Sequence, residues 1–167
     1  MSNIIRNMVW FCILILMQVL IFNNINLFGY INPYIYIIFI FYYPLKKEKG
    51  LFLFLSFLLG LCIDFFSNTG GINAAATLLI AYIRLPLLSS ILRKSDFDLQ
   101  LFNIRSISFG KAISFIALLT LIHHLILFSL DYFSLTDFGS IITKTLITSV
   151  FSIFLILLGI ILFTKKK

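Results

Sequence analysis

Apolar residues run along this chain in long unbroken blocks, and polar residues punctuate the blocks instead of alternating with them. No charged residue occurs between Arg6 and Lys46, between Lys111 and Asp131, or between Lys144 and Lys165. A helix needs roughly 20 apolar residues to cross a bilayer core about 30 Å thick. Blocks of that length have no soluble core to enter in a chain of 167 residues. The pattern predicts an all-α integral membrane protein, a compact bundle of six transmembrane helices over residues 7–22, 34–45, 51–66, 72–92, 111–130 and 140–164. The second is short, roughly 18 Å at 1.5 Å per residue. It reads either as a full crossing that begins before a kink at Pro33 or as a re-entrant segment.

The connections follow from the same pattern. Asn23, Asn24, Asn26, Gly29, Asn32 and Pro33 form a polar turn, Lys46 to Lys49 a charged one, and Ser67 to Gly71 a tight hairpin. Residues 93–110 form a polar loop, and Asp131 and Asp137 an acidic turn. The chain is then a single transmembrane domain over residues 1–167 with almost nothing outside the bilayer.

Composition sharpens this picture. Charged residues make up 11% of the chain, against about 25% in a soluble domain. The net charge of +7 suggests a nucleic-acid partner only until the positions are read. Arg6, Lys46, Lys47, Lys49, Arg93, Lys94, Arg105, Lys111 and the three terminal lysines all fall on one side of the expected spans. Lys144 is the one basic residue on the other, beside Asp131 and Asp137. Basic loops face the cytoplasm, so both termini are expected there, with an even number of crossings and 93–110 as a cytoplasmic loop. The N-terminal block resembles a signal peptide, but only asparagines follow it where a small-residue cleavage site belongs. It is read as an uncleaved first helix. Cys12 and Cys62 lie inside apolar blocks and imply neither a disulfide nor a metal.

Motifs of soluble enzymes are absent: no Gly-rich phosphate loop, no His-Glu-x-x-His, no cysteine pairs at zinc spacing. Asp96 and Asp98 read as solvated loop acids. Four features carry what chemistry there is. Ser56, Gly60 and Asp64 repeat every fourth residue and share one helix face. Ala74, Thr77 and Ala81 offer a matching small face across the hairpin through Gly71 and Asn73, and small faces let membrane helices approach closely. Asp64 is expected to cap or bond the turn; the sharper alternative makes it a ligand- or partner-facing acid. His123 and His124 point about 100° apart, so they do not readily share a ligand. His124, in line with Ala117 and Thr120, is expected to face inward and bond a neighbouring helix, with contact to the Asp64 region open. Arg84, just before Pro86, is expected to snorkel to the interface. Thr145, Ser149, Ser152 and Gly159 trace a helix-packing or partner-contact stripe beside Thr148.

The Gly60-x-x-x-Asp64 hairpin leading to Gly71-x-Asn73-Ala74, the His123-His124-x-x-x-Phe128 segment and six spans in so short a chain resemble the MreD family of bacterial rod shape-determining proteins, in particular members from the Bacteroidetes. The resemblance covers essentially the whole chain and rests on pattern, not on catalytic residues. It implies an inner-membrane component of the cell-elongation machinery, working with an MreC-type scaffold, an MreB-type filament and peptidoglycan synthases. It also implies a fold similar to the substrate-binding membrane subunit of energy-coupling-factor vitamin transporters. The expected function is therefore a non-enzymatic scaffold without cofactor or metal. The alternative is a transporter's substrate-binding subunit using Asp64, Asn68, Asn73 and His124, and an intramembrane enzyme is the weakest reading, since Asp64 and Arg84 make no convincing pair. In the loop, Phe97, Leu101 and Ile104 share roughly helical spacing, suited to lying on the membrane or docking a cytoplasmic partner.

Overall fold

A computed structural model describes residues 3–27, 29, 31–44, 49–93, 108–132 and 138–163. Five long helices form where the apolar blocks lie: α1 (Asn3–Leu20), α3 (Lys49–Ser67), α4 (Ile72–Leu92), α5 (Phe109–Tyr132) and α6 (Phe138–Phe163), with a five-residue helix α2 (Ile38–Tyr42) between the first two. Among the described residues these five are long and apolar enough to cross a membrane. That is the build of a multi-pass membrane protein. The boundaries fall within a few residues of those expected from the sequence for these five, because charge and turn residues end each block.

The second segment differs. Of the described residues of this segment, 34–44, only Ile38–Tyr42 is α-helical. The chain before it, from Ile31, is irregular and then turns through hydrogen bonds from Ile38 N–H to the Ile35 carbonyl and from Phe39 N–H to that of Tyr36. Ile31, Ile35, Tyr36, Ile37, Ile40 and Phe41 are all buried, so this strip lies inside the bundle. Irregular backbone is tolerated at membrane depth only where protein satisfies it, and here three side chains do. Gln18 of α1 accepts from the Ile35 N–H at 2.9 Å and donates to the Pro33 carbonyl at 3.0 Å. Ser152 of α6 accepts from the Tyr34 N–H at 3.0 Å. Arg84 of α4 donates to the Tyr43 and Phe41 carbonyls at the end of α2.

Helix ends meet at one end of the bundle, here the turn end. Asn23, just past α1, donates to Ser67 at the close of α3 at 2.8 Å, and α3 turns directly into α4. Lys144 near the start of α6 pairs with Asp131 near the end of α5 at 3.6 Å. The main core joins Leu14 and Ile15 of α1, the buried strip, Leu59 and Ile63 of α3, Ile80 and Leu88 of α4, Phe115 and Leu119 of α5, and Ile156 of α6. The outward faces are apolar: Phe65, Tyr82, Val150 and Phe154 are all well exposed, as a lipid-facing surface requires. Of the loop 93–110, the stretch 94–107 with Asp96, Asp98, Phe97, Leu101 and Ile104 lies outside the described residues, as do Asp137, Lys46, Lys47 and the terminal lysines.

Candidate functional site: a buried polar chain through the bundle

The α3–α4 hairpin closes on Gly60. A Cβ there would stand 2.5 Å from the Ala74 Cα and 2.5 Å from the Asn73 carbonyl oxygen, closer than real side chains come. Only glycine lets the two backbones meet. One turn below, buried Ser56 returns its hydroxyl to the Phe52 carbonyl at 2.7 Å. One turn above, Asp64 faces the first turn of α4, whose leading N–H groups have no partner within their own helix. Its carboxylate accepts from the backbone N–H groups of Asn73 at 3.0 Å and Ala74 at 2.8 Å, from the Asn73 side-chain amide at 3.0 Å, and from the Thr69 hydroxyl. Asp64 thus caps α4 from a neighbouring helix, the structural role expected of it. Gly71 serves differently. Its φ of 96° starts α4 from the left-handed region, and a Cβ there would meet nothing within 4 Å.

From Asp64 the bonding runs inward with a fixed sense. The Asn73 amide nitrogen is held by the Asp64 carboxylate, so its oxygen faces Tyr36, whose hydroxyl donates to it at 2.9 Å. That hydroxyl has one hydrogen. His123 Nε2, 3.0 Å from the same oxygen, therefore donates. Its Nδ1 is left as a bare acceptor, and that atom is buried with no partner.

The second imidazole belongs to a different set of contacts. His124 Nδ1 lies 2.9 Å from the Ser149 hydroxyl and its Nε2 3.5 Å from that of Ser152. The Tyr34 ring packs against both, with centroids 6.1 Å from His123 and 5.3 Å from His124.

The expected residues therefore fall into two groups, with others apart. Gly60, Asp64 and Asn73 join across the hairpin, with Ser56 bonded within its own helix, and His124, Ser149 and Ser152 join across α5 and α6. Contact between the histidines and the Asp64 region exists, but it runs through His123 and not His124. Both imidazoles are fully buried: His124 faces inward as expected, and so does His123, because Tyr34 and Tyr36 of the strip pack against it. Arg84 stands apart and is corrected. Only 2% exposed, it does not snorkel; its guanidinium lies 4.9 Å above the Phe52 ring and caps α2 from within the bundle. Carbonyls at a helix C-terminus carry partial negative charge and attract a cation. Gly159 faces the Ile38 side chain at an ordinary distance, 4.0 Å from where its Cβ would be.

Sequence reasoning passed over Gln18, Tyr34 and Tyr36, and it named His123 without placing it inward. Gln18 carried a signal, an amide alone in an apolar helix and costly in lipid unless bonded. The tyrosines carried none, because nothing local distinguishes them from their neighbours. Among the described residues no group of three His, Cys, Asp or Glu side chains is placed to hold a metal ion. Comparison of the chain with protein-family models, with curated proteins and with solved structures finds no match.

Proposed function

We propose that this protein is a non-enzymatic scaffold of the bacterial inner membrane, part of the cell-elongation machinery, as its resemblance to the MreD family implies. One observation carries the physical side of this reading. The deep polar groups Asp64, Asn73, Tyr36, His124, Ser149 and Ser152 are engaged with one another and with backbone. Such groups hold helices in fixed register, as an assembly platform needs, and do not converge on an empty substrate site.

The layout that goes with it has six crossings and both termini in the cytoplasm. Basic residues flank the Arg6, Lys46 to Lys49, Arg93 to Lys111 and Lys165 to Lys167 positions. For these to share a side, the buried strip must return across the bilayer after α1. Its length suffices: about five extended residues at ~3.3 Å and about eight in turns and helix at ~1.5 Å give roughly 28 Å. It also runs alongside α4, bonded near that helix's start by Tyr36 to Asn73 and towards its far end by Arg84 to Tyr43. On this layout the partners are an MreC-type scaffold outside, an MreB-type filament inside and peptidoglycan synthases beside it. Depletion in the native bacterium with cell-shape imaging, together with in-cell crosslinking, tests the proposal. Rods becoming round, with elongation proteins crosslinked, is the expected result. Unchanged shape refutes it.

A second reading, the substrate-binding subunit of a vitamin-type transporter, is favoured by the broken strip itself. Helices interrupted at mid-membrane are where transporters build their sites. Thermal stabilisation of the purified protein by a vitamin, joined to a nutrient defect on depletion, would decide for it.

A further inference from the structure

Side chains that face lipid in the middle of a spanning helix are expected to be apolar, and the Tyr82 hydroxyl breaks that rule. Tyr82 shares the outward surface with Phe65, Val150 and Phe154 and is 71% exposed. It is also the midpoint of α4 (Ile72–Leu92), about 15 Å from either end at 1.5 Å per residue. Tyrosines facing lipid ordinarily sit at the interfaces, where the hydroxyl meets headgroups and water. A helical side chain leans back over the preceding turn. That lifts this hydroxyl by about 5 Å and leaves it deep in the hydrocarbon. Among the described residues nothing hydrogen-bonds it. Shorter hydroxyls at the surface are satisfied locally: Ser89, Ser114 and Thr143 each donate to a carbonyl of their own helix. A phenol carries its hydroxyl past its own backbone and has no such recourse.

The backbone adds to the demand. Pro86 stands inside α4 on the same exposed face, and it has no N–H to give the Tyr82 carbonyl four residues back. A donor and a freed acceptor thus share one outward face at mid-membrane, where each costs free energy unless it is bonded. The opposite side of α4 is already occupied, with Ala76, Thr77, Ile80, Arg84 and Leu88 buried in the bundle. Lipid tails offer no hydrogen-bonding group. Ala75, Leu79, Tyr82 and Pro86, all exposed, run down the outward face at spacings of three and four, the stripe along which one helix meets another. A second copy of this chain answers these needs without any other partner. Copies insert in the same orientation, so a two-fold axis along the membrane normal presents the same patch twice and sets both Tyr82 side chains at one depth. A phenol both donates and accepts. One hydroxyl then bonds the other, and the freed carbonyls offer acceptors for the remaining hydrogen.

We propose that the outward face of α4 is a homodimer interface, two copies packing along Ala75, Leu79, Tyr82 and Pro86 with the Tyr82 hydroxyls hydrogen-bonded across the axis. The interface is independent of the scaffold reading and holds for either function. Disulfide crosslinking of the purified full-length protein in liposomes, with Cys12 and Cys62 replaced by alanine, tests it. Under a mild oxidant Leu79→Cys is expected to give a dimer band several-fold stronger than Val150→Cys, which lies on the lipid face of α6 and is also exposed. Adding Tyr82→Phe, which keeps the ring and removes the hydroxyl, should cut that band several-fold. Crosslinking at Leu79→Cys no stronger than at Val150→Cys means that lipid alone covers this face and overturns the proposal, as does a band that Tyr82→Phe leaves unchanged. In cells, a photo-crosslinker in place of Leu79 that captures a different protein and no second copy overturns it as well.

Discussion

The α3–α4 hairpin and the α5–α6 seam are both antiparallel pairs of apolar helices with polar residues at their contact, yet they solve the same problem in opposite ways. In the hairpin, Gly60 brings the backbones together and Asp64 collects four donors, so the contact is close and its polar groups are satisfied. In the seam, hydroxyls and imidazoles meet across the contact, and three hydroxyls and one ring nitrogen find no protein partner. Lipid supplies no hydrophobic drive between helices. Association must then come either from dense packing with complete hydrogen bonding or from polar contacts that are only partly made. The hairpin takes the first course and the seam the second. The difference predicts that the hairpin is the rigid part of the bundle.

Substitutions at four positions break or sharpen this contrast. Gly60→Leu has the largest expected effect. Its side chain meets α4 backbone that has nowhere to go, and overpacking of a rigid contact costs about 1–3 kcal/mol or more. The protein should be nearly lost from membranes by immunoblot, and normal abundance with normal function would disprove close packing there. Asp64→Ala comes next. It strips the cap from α4 and leaves the Ala74 N–H buried without a partner, for about 1–3 kcal/mol. Asp64→Asn should be milder, since one oxygen still accepts. Denaturation in detergent gives the order, and loss of function in Asp64→Asn at full stability would assign the acid a functional role instead.

Tyr36→Phe probes the link between the two regions. It removes the hydroxyl that joins Asn73 to His123 and should cost about 1 kcal/mol. If it costs nothing, the hairpin and the seam are not coupled through this residue. Gly159→Ala should be the smallest, within about 0.5 kcal/mol of neutral. Its new methyl would only touch Ile38 at 4.0 Å, so a Tm shift as large as that of Gly60→Ala would show that α6 is packed as tightly as the hairpin.

Much of the hairpin was legible in the sequence because its signals are local. Small residues four apart, an acid one turn from the helix end and glycines in the turn all act within 20 residues of chain. The seam was half legible. Ser149, Ser152 and His124 stood out as inward polar residues on apolar helices, but the inward placing of His123 did not. A residue 100° around a helix is exposed only if nothing packs there, and a strip more than 80 residues away packs there. Arg84 failed for the same reason. Snorkelling is right for a long cation with lipid beside it, whereas here Phe41 and Tyr43 carbonyls lie within reach inside the bundle.

What the sequence by itself determined is where the five long helices begin and end and that they suit a bilayer, because backbone hydrogen bonding in lipid must be satisfied within each segment and charge must stay out of it. The sixth, expected over 34–45, is not one of them. Only the tertiary structure decided that residues 31–42 form no long helix. That strip keeps its irregular backbone because Gln18, Ser152 and Arg84, on three different helices, supply the hydrogen bonds that an unbroken helix would have made for itself.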